Sequence, residues 1–279
     1  MSKVIYQPSG KAREYSPWAC NLYVGCSNDC SYCFNKRGVL GKVAGDPVAK
    51  LKSGIKDEDQ AFDIFLSELK RYKDRIIRDG GLMFSFTTDP CLPGTVHLTM
   101  KCVAAAAEMH VPCSILTKCA EWTNEEYLVK GLLGFCKDYV AVGFTLTGRD
   151  DLERDASTNA ERILAMRSLH DEGYRTFASI EPVINLDRSL EMIRQSTDCC
   201  DHYKIGLLSG DEKTDDRYDI AGRLEEFIYE VDELLTREKK TVYWKKSITQ
   251  VIGHKISDPC CVNETFNIFK QTTQEQFNK

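Results

Sequence analysis

Apolar residues recur at helical spacing in several stretches of the chain, and short apolar runs separate these stretches. The longest predicted helix covers residues 61–78, because apolar side chains recur there every three or four positions. Asp57 is a typical cap before its start, and Gly80-Gly81 ends it. Further helices are predicted for residues 98–109, 124–133, 159–172, 189–195 and 220–236.

The short apolar runs between the helices are predicted to be β-strands. In chain order they are CNLYV, LMFSFT, CSILT, YVAVGFTL, RTFASIEPV and HYKIGLL. They are continuously apolar rather than alternating, which is typical of a parallel sheet covered by helices. Six strand–helix units with right-handed crossovers predict an α/β protein with a barrel or a doubly wound sheet.

This alternation divides the chain into three parts. Residues 20–238 form the predicted core, residues 1–19 an N-terminal extension, and residues 239–279 a C-terminal extension that packs on the core. Functional side chains in such folds gather where the parallel strands end. The segments at these ends are GCSNDCSYCF, TTDP, LTK, TLTG, IEP and GLLSG.

Composition narrows the class of protein. The chain has 279 residues, 42% of them hydrophobic, which is enough for a large core. It has no apolar run long enough for a membrane span and no apolar segment of a secretory signal near its start, so we expect a cytoplasmic protein with no membrane partner. The net charge of −5 gives no global attraction to nucleic acid, although a local basic patch could still provide one.

Thirteen cysteines are many for a cytoplasmic protein, and most are scattered. Several lie in apolar runs, where a free thiol acts as a small hydrophobic side chain. Three are different: Cys26, Cys30 and Cys33 form a C-x3-C-x2-C pattern directly after the first predicted strand. This pattern carries the candidate chemistry of the chain.

Three kinds of site can explain these cysteines. Structural zinc needs four ligands, commonly in two C-x2-C pairs, and the sequence has no second such pair. A redox dithiol would use Cys30 and Cys33 and leave Cys26 without a role. A [4Fe–4S] cluster held by three thiolates keeps one iron open to another ligand. The spacing favours the iron–sulfur interpretation.

The motif resembles that of the radical S-adenosylmethionine enzymes, which also have an aromatic residue before the last cysteine, here Tyr32. The surrounding NLYVGCSNDCSYCF resembles the branch that contains spore photoproduct lyase and the DNA repair photolyase-like proteins. The segments FTTDPCLPGTVHLT, ILTK and LHDEGYRTFASIEPVI are similar to further parts of that branch. The resemblance covers approximately residues 21–210 and implies a partial TIM barrel with a (β/α)6 core.

The resemblance also implies cofactors and their ligands. Cys26, Cys30 and Cys33 would hold a [4Fe–4S] cluster whose open iron binds S-adenosylmethionine. Reductive cleavage would then give a 5′-deoxyadenosyl radical that takes a hydrogen atom from the substrate. An external one-electron reductant such as flavodoxin or ferredoxin would supply the electron.

Further residues are implied to contact S-adenosylmethionine. Thr87, Thr88 and Asp89 would meet its amino group, and Lys118 its carboxylate. The other positions implied to lie near the cofactor or substrate are Tyr32, Thr145, Thr147, Ser179 and Glu181. The TTDP segment is also typical of an ordinary turn, so a structural role is the alternative for Thr87, Thr88 and Asp89.

The sequence departs from spore photoproduct lyase where that branch returns a hydrogen atom to the product. Phe86 stands where the resemblance places a cysteine, and Phe34 where it places a tyrosine. Phenylalanine has no weak X–H bond, so repair of thymine dimers is in doubt. Cys91 is a candidate replacement donor, with a buried structural thiol as the alternative.

Other segments leave alternatives open. KKTVYWKK, residues 239–246, is either an edge strand protected by lysines or a surface on which Tyr243 and Trp244 stack on bases. Lys36, Arg37 and Lys42 could form a phosphate-binding rim beside the cysteines. Two adjacent pairs, Cys199-Cys200 and Cys260-Cys261, could together ligate a second cluster.

Three functions follow from these observations. The first is a radical enzyme that acts on a nucleic acid or nucleotide, and it depends on the branch resemblance. The second is a radical enzyme that modifies a peptide or protein, which the acidic net charge tolerates better. The third is a non-catalytic iron–sulfur redox module.

Overall fold

The structure is a computed structural model, and it describes residues 3–208, 217–262 and 268–269. Its β-strands are β1 (Ile5–Tyr6), β2 (Ala19–Cys20), β3 (Tyr23–Val24), β4 (Lys50–Leu51), β5 (Leu82–Phe84), β6 (Cys113–Thr117), β7 (Val140–Thr145), β8 (Arg175–Val183), β9 (His202–Leu207) and β10 (Thr241–Trp244). Its α-helices are α1 (Gly38–Ala44), α2 (Glu58–Asp79), α3 (Val96–Glu108), α4 (Asn159–Asp171), α5 (Leu186–Ser196), α6 (Arg217–Arg237) and α7 (Lys246–Ile252).

Eight strands form one sheet in the order β1-β2-β5-β6-β7-β8-β9-β10. β1 is antiparallel to β2, and the other neighbouring pairs are parallel. Within the described residues β1 and β10 do not pair with each other, so the sheet is open. These features confirm the predicted α/β class with a mostly parallel sheet.

Burial explains why the strand segments are continuously apolar. All six residues of β7 are buried, and β6 and β8 are buried over most of their length. A strand that is covered on both faces has no polar side to present to water. No helix in the described part of the chain is long and apolar enough to cross a membrane.

Five of the six predicted helices are present as α2 to α6, and their ends differ by a few residues. α2 starts at Glu58 because the Asp57 side chain accepts a hydrogen bond from the Gln60 amide at 2.9 Å. Gly80 ends this helix with a φ of +118°, a conformation that favours glycine. α4 begins with a capping box between Thr158 and Glu161.

Two predicted elements have a different form. In place of the helix predicted for residues 124–133, the chain forms a 3-10 turn, Glu121–Asn124, and then a π-helical segment, Tyr127–Leu132. Gly131 lies within that segment and Gly134 just after it, and glycine disfavours a regular helix. The predicted first strand is split into β2 and β3, and between them the Asn21 side chain donates to the Tyr6 hydroxyl and accepts from the Phe86 amide. As a result, β3 pairs with β4 in a separate small sheet.

Both predicted extensions contribute to the main sheet. β1 comes from the N-terminal extension and pairs with β2, and β10 comes from the C-terminal extension and pairs with β9. β10 therefore adds a seventh parallel strand to the six that were predicted. The division of the chain at residues 19 and 238 stays a prediction.

The segment KKTVYWKK contains β10, the last of the named strands in the sheet order, and an isolated bridge between Val242 and Cys261 pairs along its outer side. Tyr243 and Trp244 are buried, and the Trp244 indole nitrogen donates to the Asp232 carboxylate at 3.2 Å. The rings are therefore not exposed for stacking on bases. Lys245, which follows the strand, is buried as well.

Candidate active site

The three motif cysteines lie on one loop, residues 25–34, which follows β3 and which we call the cluster loop. Backbone hydrogen bonds hold both of its ends. The Cys26 amide donates to the Asp46 carbonyl at 2.9 Å, and the Ser31 amide donates to the Leu152 carbonyl at 2.9 Å. Gly25 has a φ of +88°, and a Cβ there would lie 2.4 Å from the Val48 carbonyl oxygen, so only glycine fits.

The chemistry of these thiols fits a metal cluster. Burial raises the pKa of Cys26 to about 11, and burial also raises the pKa of Cys30. A buried thiol becomes a thiolate when a positive centre compensates its charge. Three soft ligands on one short loop, with no fourth ligand in the motif, fit a [4Fe–4S] cluster with one open iron.

Asp89 connects the cluster loop to the ends of β5 and β6. Its carboxylate accepts from the Asn28 side chain at 2.8 Å and from the Thr117 hydroxyl at 2.6 Å. It also accepts from the backbone amides of Cys91 and Lys118 at 2.9 and 2.7 Å. Both carboxylate oxygens are thus used within the protein, which gives Asp89 a positioning role in this structure.

Thr87 and Thr88 lie beside this carboxylate in the turn after β5. The Thr87 hydroxyl donates to the Tyr23 carbonyl at 2.6 Å, and the Thr87 carbonyl accepts from the Gly25 amide at 3.1 Å. Thr88 is buried, and its carbonyl accepts from the Ser85 hydroxyl. The turn therefore supports the cluster loop, while its predicted contact with S-adenosylmethionine stays a prediction.

Lys118 is placed where a cation can act on both the cluster loop and a cofactor. Its ammonium lies 5.6 Å from the centre of the Tyr32 ring. Burial lowers the pKa of Lys118, but the nearby Cys30 and Glu153 outweigh burial and hold that pKa above its ordinary value. The side chain thus stays a cation beside the thiols.

Tyr32 is anchored by a buried ion pair that was not predicted. Its hydroxyl donates to Glu153, and the Arg162 guanidinium lies 2.7 Å from the same carboxylate. The side chains of Arg162 and Glu153 are both fully buried. Arg162 also donates to the Lys118 and Thr145 carbonyls, so α4 is joined to the ends of β6 and β7. Helical periodicity gives no signal for such a pair.

The predicted residues at the ends of β7 and β8 fall into two groups. Thr145 and Thr147 are buried, and the Thr147 hydroxyl accepts from the Arg149 amide within its own loop. Ser179 and Glu181 instead face a set of polar side chains from other elements. We call this set the inner polar cluster; its members are Tyr15, Ser179, Glu181, Lys204 and Lys245.

The inner polar cluster is centred on the Glu181 carboxylate. It accepts from the Tyr15 hydroxyl and from the Lys245 ammonium, the latter at 2.6 Å. The Tyr15 and Ser179 hydroxyls are 2.8 Å apart, and the Lys204 ammonium lies 3.2 Å from the centre of the Tyr15 ring. Sequence reasoning missed Tyr15, Lys204 and Lys245, because two belong to the predicted extensions and one lies inside a strand.

Burial shifts the ionisation of this cluster. It raises the pKa of Tyr15 well above its ordinary value, with the Glu181 charge as the second cause. It lowers the pKa of Lys204 well below its ordinary value, and the neighbouring Lys245 adds to that shift. The site therefore offers a neutral phenol, a carboxylate paired with Lys245, and a lysine that gives up its proton easily.

The three positions linked to hydrogen return, Phe86, Phe34 and Cys91, lie in different surroundings. The Phe86 ring is 6.0 Å from the Tyr15 ring in an edge-on arrangement. The Phe34 side chain is 52% exposed. Cys91 is 2% exposed and lies in the main core, and burial raises the pKa of its thiol well above the ordinary value. The role of Cys91 as a hydrogen donor stays a prediction. A thiol buried in the core also fits the structural alternative.

Charged groups around the site are largely paired. Lys36 forms an ion pair with Asp29 at 2.5 Å, and Arg37 donates to the Tyr32 carbonyl at 3.0 Å.

A polar cleft of about 420 Å³ lies in the loops after β7 and β8. Its lining residues are Gly148, Arg149, Asp150, Asp151, Asn185 and Arg188.

Comparisons with known proteins identify the class of fold. No protein-family model matches the sequence, and no curated protein matches it either. Solved structures do match: the mostly parallel sheet with its surrounding helices is that of the radical S-adenosylmethionine fold. The resemblance inferred from the motifs is thereby confirmed at the level of the fold.

The particular structures are these. The chain is similar to a doubly substituted spore photoproduct lyase with bound AdoMet and dinucleoside spore photoproduct, with a TM-score of 0.61 and 14% identity over 86% of this chain and 78% of that one. Spore photoproduct lyase complexed with dinucleoside spore photoproduct gives a TM-score of 0.61 and 16% identity over 86% and 79%. Streptococcus suis SuiB bound to S-adenosylmethionine gives 0.53 and 13% over 88% of this chain and 54% of that one.

Proposed function

We propose that this chain is a radical S-adenosylmethionine enzyme. When bound, the [4Fe–4S] cluster and S-adenosylmethionine supply a 5′-deoxyadenosyl radical that takes a hydrogen atom from the substrate. The observation that carries this proposal is the cluster loop, which presents three thiols, Cys26, Cys30 and Cys33, beside the cation of Lys118.

The residues of the chain position and enclose the reactants. Asp89 fixes the cluster loop against β5 and β6 through its hydrogen bonds to Asn28 and Thr117. Lys118 would pair with the carboxylate of S-adenosylmethionine, since its ammonium stays protonated. The inner polar cluster would face the substrate, with Glu181 held in one orientation by Lys245. Such preorganisation limits side reactions of a radical.

Anaerobic reconstitution with iron and sulfide tests this proposal. With dithionite as the reductant, the reconstituted chain should convert S-adenosylmethionine into 5′-deoxyadenosine and methionine, measured by liquid chromatography. Cys30→Ala should lose iron and this activity, while Cys136→Ala, which removes a buried thiol outside the loop, should keep both. A chain that holds iron but forms no 5′-deoxyadenosine would refute the proposal.

We further propose that the substrate is a nucleic acid or nucleotide. Two observations support this class: the chain is similar to a lyase that holds a dinucleoside photoproduct, and Arg188 lines the polar cleft after β7 and β8, in which Arg149 is paired with Asp151. Guanidinium groups pair well with phosphate oxygens. A flavodoxin- or ferredoxin-like protein would be the external electron donor.

A peptide substrate is the second candidate, because the chain is also similar to SuiB bound to its precursor peptide SuiA, with a TM-score of 0.53. Salt dependence separates the two classes. Binding of a single-stranded oligonucleotide should weaken steeply between about 50 and 200 mM salt if phosphates are contacted. The variant Arg188→Gln should reduce that slope, and Lys50→Gln, an exposed residue outside the cleft, should not. Oligonucleotide binding that does not weaken as the salt concentration rises would favour a peptide substrate.

A further inference from the structure

A second group of metal-ligand side chains lies outside the candidate active site. Asp232 on α6 lies close to Cys260 and Cys261, which follow α7 in the chain. The ligand atoms of these three residues lie within 4.8 Å of one another, and within the described residues no other such group occurs. Neither the cluster loop nor the inner polar cluster shares a residue with it.

The distances in this group suit ligands of one metal ion. The Asp232 Oδ1 oxygen is 3.3 Å from the Cys260 sulfur and 3.8 Å from the Cys261 sulfur. A tetrahedral zinc ion with ordinary Zn–S and Zn–O bond lengths separates a sulfur and an oxygen ligand by about 3.5 Å. Thiolates of a cubane instead bind different irons, and each iron takes one thiolate.

A buried oxygen without a partner points to the same conclusion. Asp232 is 6% exposed, and its Oδ2 oxygen has no hydrogen-bond partner among the described atoms. The exposed Asp258 lies beside the same group, because its carbonyl accepts a hydrogen bond from the Cys261 amide at 2.9 Å. An unpaired buried carboxylate is costly, and a bound cation removes that cost.

We propose that Asp232, Cys260 and Cys261 bind a zinc ion, with Asp258 as the fourth ligand. Two thiolates and two carboxylates satisfy the four-coordinate preference of Zn²⁺, and the thiolates exclude Mg²⁺ and Ca²⁺, which prefer oxygen ligands. All four residues then contribute ligand atoms, so the site is closed and structural rather than catalytic.

The position of the site indicates what the metal does. The Val242 amide donates to the Cys260 carbonyl and the Val262 amide to the Val242 carbonyl, both at 2.9 Å, so the cysteine segment lies along β10. Val262 packs with Ala141, Phe177 and Tyr243 in a second core cluster. Zinc therefore ties this C-terminal segment to α6 and holds it against the sheet.

The structure does not support the alternative of a second iron–sulfur cluster that shares all four paired cysteines. Cys199 and Cys200 donate to the Ser196 and His202 carbonyls, at 3.5 and 3.1 Å. No ligand group that contains them occurs among the described residues.

Metal analysis of the full chain tests the zinc site. After dialysis against a weak chelator, elemental analysis should find about one zinc per chain, as expected for a closed four-ligand site. Cys260→Ser and Cys261→Ser should lose zinc and keep the iron of the cluster loop. Cys26→Ser should lose iron and keep zinc, and Cys199→Ser should keep both metals.

Further measurements keep the test decisive if a cysteine variant fails to fold. Asp258→Asn changes an exposed residue and should speed the removal of zinc by a chelator while the fold is retained. Chelation should also lower the melting temperature of the Cys26→Ser chain, because metal binding is coupled to folding. Absence of zinc after addition of Zn²⁺, zinc that survives in Cys260→Ser, or loss of iron in that variant would overturn the proposal.

Discussion

At the scale of single residues, the candidate site depends on a buried ion pair between Glu181 and Lys245. The Lys245 side chain is 1% exposed and that of Glu181 is 15% exposed, so water screens the pair little. The Tyr15 hydroxyl donates to the same carboxylate. Three segments that are distant in the sequence thus fix the orientation of one acid.

Removal of Lys245 should therefore be costly. We expect Lys245→Met to lower the free energy of unfolding by about 3–5 kcal/mol, because it removes the cation paired with the buried Glu181 charge. Urea unfolding measures this change. The double variant Lys245→Met with Glu181→Gln should regain much of the loss.

An exposed pair supplies the control for this prediction. Lys50 and Asp46 form an ion pair whose side chains are largely exposed, so Lys50→Met should change the free energy of unfolding by no more than about 1 kcal/mol. Equal effects of the two lysine substitutions would show that the Glu181–Lys245 pair contributes no more than a surface pair.

At the scale of elements, β9 passes so close to this ion pair that one of its positions must lack a side chain. A Cβ on Gly206 would lie 2.7 Å from Lys245 Cδ and 3.2 Å from Glu181 Oε1. Gly222 in α6 is different, because no described atom lies within 4 Å of the Cβ it would carry. The same substitution should thus have opposite effects in the two elements.

Gly206→Ala should destabilise the protein by about 1–3 kcal/mol, because a well-packed interior has to shift to accept the methyl group. Gly222→Ala should stabilise it by about 0.5–1 kcal/mol, since alanine favours a helix and nothing obstructs it. Urea unfolding of both variants measures the difference. A neutral result for Gly206→Ala would mean that Lys245 moves aside without cost.

At the scale of the whole molecule, the pairing of β9 with β10 joins the C-terminal part of the chain to the sheet. His202 on β9 is buried, and its Nδ1 nitrogen lies 2.7 Å from the Thr241 hydroxyl on β10. Burial, and next the charge of Lys204, lower the pKa of His202 well below its ordinary value. The imidazole is therefore neutral in the folded state.

This depressed pKa predicts a loss of stability in acid. Below the ordinary pKa of about 6.5 the unfolded chain binds a proton at His202 that the folded chain does not, so stability falls as the pH drops. Between about pH 7 and 5 the slope from this one group should approach 1.4 kcal/mol per pH unit. Urea unfolding at several pH values measures the slope.

His202→Gln should reduce that slope, whereas His254→Gln, at an exposed position, should leave it unchanged. Comparing variants at each pH removes the contributions of other acid-sensitive groups. An unaltered slope in His202→Gln would show that this histidine does not titrate differently on folding.

Local signals in the sequence accounted for most of the elements. Helix caps such as Asp57, helix-ending glycines such as Gly80 and continuous apolar runs such as β7 act over a few residues, so they can be recognised without the fold. The segment of residues 124–133 misled the prediction, because Gly131 and Gly134 interrupt an otherwise helical pattern. Strand β10 was assigned to the C-terminal extension, although it completes the parallel sheet beside β9.

What the sequence by itself determined was the cysteine motif, the parallel α/β sheet and the order of its main elements, since spacing and periodicity are written along the chain. Only the tertiary structure decided which side chains meet: Tyr15 and Lys245 at Glu181, Arg162 at Glu153, and Asp232 at Cys260 and Cys261. Apart from Arg162 and Glu153, which are close in the sequence, these partners are 28 to 166 residues apart. Contacts of this kind depend on how the strands and helices pack, which leaves no local pattern.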